Sequence, residues 1–426
     1  RVGSVAGSGR IVVTFEPHAV VWFVVPSAGL LAGLATAQPA LVAVGAGFLV
    51  PLLFGLAARP PRLPEATVRV SADRVIEGAR VELELTLAAS DACPWLDVEL
   101  RLPERLDPDG APTRRVLALH AGETRTLEYS INCPRWGAFR IASIRLSARD
   151  QLHLRRAELV VEPTTTLRVY PSVERLRRLA GPRATRPVTG SRPAAVAGEG
   201  IEFAELRFLA PGERARRINW RATAARGRLL VNDRLPERSS DVVIFLDALG
   251  AAATSAASTL DHAVRAAASL TEAYLRQRDR VGLLRFGGDI EWIIPGSGLR
   301  QQYRIADALL ESELARTHRW RDTSLIPRRI LPPQSLIVAL TPRLDWRVTR
   351  ALLNLRRRGY QVSIVEVDPL PYLADAEAAA GPIAWRTWLL ERDAVRTRLA
   401  GAGIALASWG PDEPIAAPVE ALAAAR

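Results

Sequence analysis

The sequence predicts a multidomain protein in which a helical hairpin precedes an antiparallel β-sandwich and then an α/β domain with a mostly parallel sheet. Two charge-free apolar segments lie at 19–37 and 40–58. Short segments with a period of two follow between 66 and 171, and strand-length and helix-length segments alternate between 241 and 410. A chain of 426 residues also exceeds one ordinary hydrophobic core, so two or three domains are expected.

The two apolar segments predict a transmembrane hairpin that begins at Ala19 and ends at Ala58. Each has 19 residues, and a helix of that length crosses a hydrocarbon layer about 30 Å thick. Only Gln38 and Pro39 separate them. A soluble helical hairpin and a cleaved signal peptide are the alternatives, and a second full-length apolar segment directly after the first disfavours both.

Arginines on both sides of the hairpin predict its orientation. Arg10 precedes the pair, Arg59 and Arg62 follow it, and the turn carries no charge. Positive residues favour the cytoplasmic side, so both chain ends and the soluble part are expected in the cytoplasm. Gly29 and Gly33 have the spacing that lets two membrane helices approach closely.

Composition excludes several function classes. All 57 basic residues are arginine, and lysine and methionine are absent, which is typical of a GC-rich genome, so the net charge of +12 does not by itself indicate a nucleic-acid partner. Cys93 and Cys133 are the only cysteines. In a cytoplasmic domain we expect buried, reduced thiols, whereas an oxidising space would allow them to pair. The five histidines are scattered, so a zinc site is not predicted.

The segment 66–171 predicts a β-sandwich of immunoglobulin-like or fibronectin-like size. Alternating apolar and polar residues mark its strands, and Gly, Pro and Asp residues separate them. The strands are expected to begin near Val68, Val81, Leu96, Thr126, Ala142 and Ala157.

The remaining boundaries follow from composition and periodicity. Residues 1–18 are expected to be an N-terminal tail, 172–200 a basic linker, 201–240 an arginine-rich arm and 411–426 a C-terminal tail. Within 241–410, the predicted strands are 242–246, 281–286, 290–294, 335–340, 361–367 and 404–409. The predicted helices are 259–277, 299–314, 346–358 and 382–400.

Residues 198–247 read GEGIEFAELRFLAPGERARRINWRATAARGRLLVNDRLPERSSDVVIFLD. This stretch resembles the signature of the DUF58 family of membrane-tethered bacterial proteins. Residues 279–311 further resemble von Willebrand factor A domains. The resemblance implies an anchor in the inner (plasma) membrane of a bacterium, a von Willebrand factor A-like α/β domain and a partnership with a MoxR-type AAA+ ATPase.

The von Willebrand pattern includes a metal-binding site. In this sequence only some of its ligand positions hold a residue with a side-chain oxygen. Asp247 follows the first apolar strand, but Leu249 and Ala251 stand where the pattern has serines. Thr323 matches the expected threonine, and Asp345 lies three residues from the position expected for a second carboxylate. Because Mg²⁺-like ions need several hard oxygen ligands, a divalent metal is not expected and no cofactor is predicted. The alternative for Asp247 is a helix cap or a hydrogen-bond anchor.

The arm at 201–240 supplies the candidate partner-binding residues. Arginine and tryptophan are enriched at protein hot spots, and the arginines could bind carboxylates of an acidic partner. A second interpretation makes Trp220 a buried packing anchor, and single-stranded nucleic acid is a third that no other feature supports. The candidates are Arg214, Arg216, Arg217, Trp220 and Arg221.

These observations predict a membrane-anchored cytoplasmic scaffold or adaptor rather than an enzyme. The chain has no nucleophile elbow, HExxH pattern, phosphate loop or dinucleotide-binding context. Its expected partners are a protein, of the MoxR-type AAA+ class by resemblance, and the lipid bilayer through residues 19–58, with no nucleic acid. An ATPase-independent envelope assembly factor is the alternative, and a hydrolase is the third.

Overall fold

A computed structural model describes the chain as two compact units, residues 1–170 and 171–426. The described residues are 5–6, 11–17, 19–57, 60–141, 143–150, 153–162, 166–181, 186–187, 202–209, 218–235, 238–254, 257–287, 290–312 and 331–425. Each unit is built around its own buried apolar cluster.

The first unit joins a helical hairpin to antiparallel sheets. Its elements in chain order are β1 (Val5–Ala6), β2 (Val12–Phe15), α1 (Ala19–Thr36), α2 (Pro39–Ala57), β3 (Glu65–Val70), β4 (Arg74–Ile76), β5 (Arg80–Ala88), β6 (Cys93–Arg101), β7 (Arg114–Leu119), β8 (Thr124–Asn132), β9 (Gly137–Arg140), β10 (Ser143–Arg149), β11 (Arg155–Val161) and β12 (Thr166–Tyr170).

Helices α1 and α2 form the predicted hairpin, and both are long and apolar enough to cross a membrane. Their outer surfaces are exposed, including Leu34 (75% exposed) and Phe54 (70% exposed). At one end, Ala19 and Leu52 pack with Leu154 of the strand-rich part, and the Arg155 guanidinium donates to the Gly55 carbonyl at 2.7 Å.

The two helices touch through glycines. A Cβ added at Gly29 would lie 3.1 Å from the Gly45 Cα, and one added at Gly33 would lie 2.6 Å from Val42 Cγ2 and 2.8 Å from the Val42 backbone nitrogen. Side chains at these positions would therefore push the helices apart. The sequence-based expectation that Gly29 and Gly33 lie at a helix contact is confirmed.

Gly33→Ala is expected to destabilise the hairpin by about 1–3 kcal/mol, because the new methyl group meets backbone atoms as well as a side chain. The matched control is Gly47→Ala on α2, where an added Cβ meets nothing within 4 Å. We expect a lower melting temperature of the full chain in mild detergent for the first variant only. Equal melting temperatures for the two variants would contradict the close contact.

Two larger sheets enclose the core of the first unit. Their strand orders are β1-β3-β5-β8 and β2-β11-β10-β6-β7, and a smaller sheet has the order β4-β12-β9. Alternation along β5 buries Val81, Leu83, Leu85 and Leu87, as expected of strands with one face on a core. The pairing is antiparallel except between β4 and β12, which are parallel.

Two short segments of the predicted N-terminal tail, residues 1–18, form strands. β1 pairs with β3 and β2 pairs with β11, so both extend the sheets. Free backbone groups at a sheet edge can accept another strand whatever its side-chain pattern, which explains why periodicity missed them. Cys93 and Cys133 are buried and free, as predicted, and burial raises the pKa of both thiols.

The second unit contains a small arm followed by an α/β region. Its elements are β13 (Arg186–Pro187), β14 (Glu202–Phe208), α3 (Trp220–Arg226), β15 (Leu230–Leu235), β16 (Arg238–Ser239), β17 (Asp241–Asp247), α4 (Thr259–Arg276), β18 (Arg280–Phe286), β19 (Ile290–Gly296), α5 (Gly298–Leu310), β20 (Leu336–Thr341), α6 (Trp346–Arg357), β21 (Gln361–Val367), a 3-10 turn (Leu370–Tyr372), α7 (Ala374–Ala380), α8 (Pro382–Gly401), β22 (Ala405–Trp409) and α9 (Ala416–Ala424).

The six-stranded sheet of the α/β region has the order β19-β18-β17-β20-β21-β22. All neighbours are parallel except β18 and β19, which form the antiparallel hairpin that the sequence predicts. β17 and β20 are buried over almost their full length, as central parallel strands require. Ser258 and Asp261 form a capping box that begins α4.

The segments predicted as a basic linker and as a C-terminal tail both carry packed residues. The predicted C-terminal tail contains α9, where Val419 and Leu422 are buried. In the predicted linker, Leu176 and Ala180 are buried, and the Tyr274 hydroxyl donates to the Ala180 carbonyl at 2.7 Å. In the linker, single apolar residues without a period gave no local signal for this packing, whereas positions 415, 419 and 422 of the tail are apolar at helical spacing.

Candidate functional site at the carboxyl ends of two central strands

Two strands end side by side at the point where the sheet changes its direction of growth. After β17 the chain adds β18 and β19 on one side, and then crosses to add β20 on the other. In open α/β sheets, this topological switch point leaves a crevice beyond the carboxyl ends of the two strands. Asp247 ends β17 and Thr341 ends β20. The topology therefore makes this pair the centre of the candidate site.

Asp247 is buried, and both of its carboxylate oxygens accept hydrogen bonds. Its exposed fraction is 1%. The Thr341 hydroxyl donates to Oδ2 at 2.6 Å, and the Leu249 backbone N–H donates to Oδ1 at 3.0 Å. Thr341 Oγ1 in turn accepts from the Arg343 backbone N–H at 2.9 Å. The carboxylate thus ties the loop after β17 to the loop after β20.

Burial raises the pKa of Asp247 to about 7, although the hydrogen bonds from Thr341 and Leu249 oppose that shift and the charge of Asp345 adds to it. A buried carboxyl without a direct cationic partner favours its neutral form. Asp247 therefore changes its protonation near neutral pH, and its charge is coupled to the loop that carries Asp345.

Asp345 caps the following helix. Its side chain accepts from the Arg347 backbone N–H at 2.8 Å, and the Arg347 guanidinium donates to both carboxylate oxygens, with Nε at 2.9 and 3.0 Å. Burial alone would raise the pKa of Asp345, but the bonds from Arg347 outweigh it and hold the pKa below its usual range. This carboxylate is therefore ionised and committed to an arginine.

These donors do not fit a divalent cation. The oxygens of Asp247 face a hydroxyl and an amide, those of Asp345 face a guanidinium, and Leu249 and Ala251 have no side-chain oxygen. An octahedral ion needs several hard oxygens free to coordinate it. Thr323 lies outside the described residues, and among those described no group of three acidic, His or Cys side chains is placed to hold a metal.

These contacts distinguish between the two alternatives to a metal role for Asp247, a helix cap and a hydrogen-bond anchor. It is a hydrogen-bond anchor, whereas the cap of the next helix is Ser258. The side-chain partner of Asp247 is Thr341, which the sequence analysis did not identify. Its sequence signal was a hydroxyl residue at the end of an otherwise apolar strand.

Within the arm, β14 and β15 pair in an antiparallel register around α3. Asn219 caps α3 by accepting from the Ala222 backbone N–H at 3.0 Å, and Gly227 ends it at a φ of 66°. Trp220 is 65% exposed, so its interpretation as a buried packing anchor is wrong, because the first residue of this short helix points away from the core. Arg221 is also exposed.

Of the five candidate partner-binding residues, the structure therefore brings Trp220 and Arg221 to the surface of α3. Arg214, Arg216 and Arg217 lie outside the described residues.

Trp220→Ala is now expected to change the free energy of unfolding by no more than about 0.5 kcal/mol, as for other exposed side chains. Thermal unfolding of the full chain in mild detergent measures this change. The control is Trp409→Ala, which removes a side chain that is 3% exposed and is expected to cost about 3–5 kcal/mol. A similar loss in both variants would restore the packing role of Trp220.

Sequence reasoning missed a buried ionic cluster one strand further along the sheet. Glu366 on β21 is 2% exposed. It accepts from Arg343, from the Arg392 guanidinium at 2.5 Å and from the Arg396 guanidinium at 2.8 Å. Burial alone would raise the pKa of Glu366, but these arginines hold it below its usual range. The available signal was a single carboxylate inside the apolar strand 361–367.

Comparisons with known proteins agree with the resemblance of the arm. Residues 205–325 match the family model described as "Protein of unknown function DUF58". The uncharacterized protein YeaD of Bacillus subtilis is 25% identical over 238 residues, which cover 54% of this chain and 58% of that protein. The chain thus aligns with less than two thirds of that relative's length.

A solved structure is also similar over part of the chain. It is the CARDB domain of a Pyrococcus furiosus protein in complex with di-metal ions. It shares 16% identity, and the match covers 28% of this chain and 96% of that domain at a TM-score of 0.17. That score supports no conclusion about function.

Proposed function

For a chain whose residues 205–325 match the DUF58 family model, we propose the function of a membrane-anchored scaffold or adaptor that presents its α/β region to a protein partner in the cytoplasm. By family resemblance, that partner is a MoxR-type AAA+ ATPase. The observation that carries the proposal is the combination of an exposed apolar hairpin with a switch-point carboxylate whose oxygens are both occupied internally.

The hairpin supports membrane anchoring. Exposed side chains along α1 and α2 are uncharged and, apart from Ser27 and Thr36, apolar, and such surfaces are covered by lipid or by a partner. Helical geometry pairs most of their backbone groups within each helix, as a hydrocarbon environment demands, although Pro26 inside α1 has no N–H to donate. The positive residues at the flanks support a cytoplasmic orientation.

The α/β region supports a von Willebrand factor A-like assignment. Its sheet order, with one antiparallel edge strand, agrees with the resemblance of residues 279–311. Because the donors around Asp247 do not fit a divalent ion, the partner would bind through direct contacts with surface side chains rather than through a bridging metal ion. Asp247 itself gives a hydrolase no support, because a catalytic acid or base must reach its substrate, and this carboxyl is 1% exposed.

Two measurements test the proposal. A phosphatase reporter that is active only outside the cytoplasm, fused after Arg426, should stay silent, and strong activity would overturn the orientation. The full chain, purified in mild detergent, should retain a MoxR-type AAA+ ATPase from its own organism. Retention of envelope proteins without any ATPase would favour the envelope assembly alternative, and retention of no protein at all would overturn the scaffold proposal.

A further inference from the structure

A groove of about 480 Å³ lies between α6 and α8. One wall is a single face of α6, where Trp346, Arg350, Leu353 and Arg357 recur at helical spacing. The other wall is the matching face of α8. Its lining residues are Trp388, Glu391, Arg392, Val395 and Arg398. These residues lie beyond the DUF58 match at 205–325.

The groove is strongly cationic. Five arginines line it against one glutamate, Glu391. Arg350, Arg357 and Arg398 are exposed and form no ion pair within the described part of the chain. Their charges are therefore available to an incoming anion.

Two of the lining arginines, Arg343 and Arg392, also belong to a buried cluster with an excess of positive charge. Three guanidinium groups, those of Arg343, Arg392 and Arg396, share the single carboxylate of Glu366. Arg343 is 8% exposed, and its buried Nε has no hydrogen-bond partner among the described atoms. Burial lowers the pKa of Arg392, an effect that Glu366 partly offsets. A buried donor without a partner and an excess of positive charge both favour an added anion.

Tryptophans border the cationic surface. Trp346 is 59% exposed, and the Arg350 guanidinium lies 5.9 Å from the centre of its ring. The Arg392 guanidinium lies 4.9 Å from the centre of the Trp388 ring, which also stacks on Trp385 at 4.9 Å. Stacking on rings pre-organises the guanidinium forks, whose planar geometry suits carboxylates.

We infer that the α6–α8 groove is a docking site for an acidic peptide segment of a protein partner. This inference rests on the proposed scaffold function and names its contact surface. Arg350, Arg357 and Arg398 would bind carboxylates in bidentate fashion, while the tryptophans contact the apolar parts of the peptide. α6 is about 16 Å long between Trp346 and Arg357, a length that about five residues of extended peptide would span.

A peptide fits better than single-stranded nucleic acid. Bases bind such proteins by stacking on free aromatic faces, whereas the Trp346 and Trp388 rings already carry guanidinium groups or another ring. Guanidinium groups or another ring thus already cover part of each aromatic surface, and the exposed groups beside the rings are charged donors.

The test measures binding of fluorescein-labelled hexaglutamate to the full chain in mild detergent by fluorescence anisotropy. Hexaglutamine is the neutral probe, and a six-nucleotide oligothymidylate and glycerophosphoserine are the competing anions. The variant pair Arg350→Glu with Arg357→Glu reverses two charges in the groove. The matched control, Arg304→Glu with Arg386→Glu, makes the same charge change at exposed positions of α5 and α8 that do not line the groove.

We expect hexaglutamate to bind and hexaglutamine not to bind. The groove variant should weaken hexaglutamate binding by about tenfold or more, whereas the control should weaken it by less than about threefold. Binding should also weaken as NaCl rises from about 50 to about 300 mM. If the groove variant does not fold, as judged by its melting temperature, the neutral pair Arg350→Gln with Arg357→Gln replaces it with the same expectation.

Equal weakening in the groove and control variants would overturn the inference, because binding would then follow net charge alone. Tighter binding of oligothymidylate or glycerophosphoserine at the groove would assign it to nucleic acid or to a lipid headgroup instead. If either result is obtained but the groove variant still retains partner proteins, the scaffold proposal is not affected. Conversely, if hexaglutamate binds specifically but no partner protein is retained, the groove remains an acidic-peptide site and the scaffold proposal is contradicted.

Discussion

Replacing Glu366 by alanine is expected to lower the free energy of unfolding by about 3–5 kcal/mol, because it leaves buried guanidinium groups without their carboxylate. The side chains of Glu366 and Arg343 are each 3% exposed, and that of Arg392 is 12% exposed. Water therefore cannot replace the lost partner. Denaturant unfolding of the full chain in mild detergent measures the change.

Glu391→Ala is the matched control. Glu391 lines the groove on the same helix as Arg392 but is exposed and has no ion pair within the described residues. Its removal should change the free energy of unfolding by no more than about 0.5 kcal/mol. A Glu366→Ala variant as stable as this control would show that the arginines are hydrated, and would also remove the charge argument for the groove.

Asp247→Asn is expected to remove a pH dependence of stability. The folded protein holds the Asp247 proton up to about pH 7, whereas an unfolded chain releases it near pH 4. Between these values the folded state binds more protons, so the contribution of Asp247 to stability is complete below about pH 4 and is lost as pH rises to about 7. Asparagine does not titrate and avoids this loss.

Relative to the unsubstituted protein, Asp247→Asn should therefore gain about 2–3 kcal/mol between pH 5 and pH 8. Its amide oxygen can still accept from Leu249. Urea unfolding at several pH values measures the gain, and Asp393→Asn, at an exposed position on α8, is the control. A difference that stays constant with pH would show that Asp247 is ionised throughout this range.

Local patterns predicted the regular elements of the α/β region well. The strand at 361–367 was predicted with its observed bounds, and the helix predicted at 259–277 is α4, Thr259–Arg276. Hydrophobic periodicity depends on residues that are close in the sequence, so it predicts these elements without knowledge of the rest of the fold. The short strands β1 and β2 and helix α9 escaped because they pack through only a few residues each.

The sites depended on distant contacts. Asp247 was singled out from its place after an apolar strand, but its partner Thr341 lies 94 positions away. Glu366 meets arginines at positions 343, 392 and 396. Such pairs arise from the order of the strands and the placement of the helices. With 57 basic residues in the chain, the sequence does not indicate which arginine will pair with which carboxylate.

By itself, the sequence determined the apolar hairpin, the division into a strand-rich and an α/β part and the absence of side-chain hydroxyls at Leu249 and Ala251, because each depends only on which residues occupy nearby positions. The tertiary structure alone decided that Trp220 is exposed, that Asp247 is closed off by Thr341 and that α6 and α8 form a cationic groove. Those outcomes depend on burial and on charges brought together from separate segments, and both exist only once the sheet has assembled.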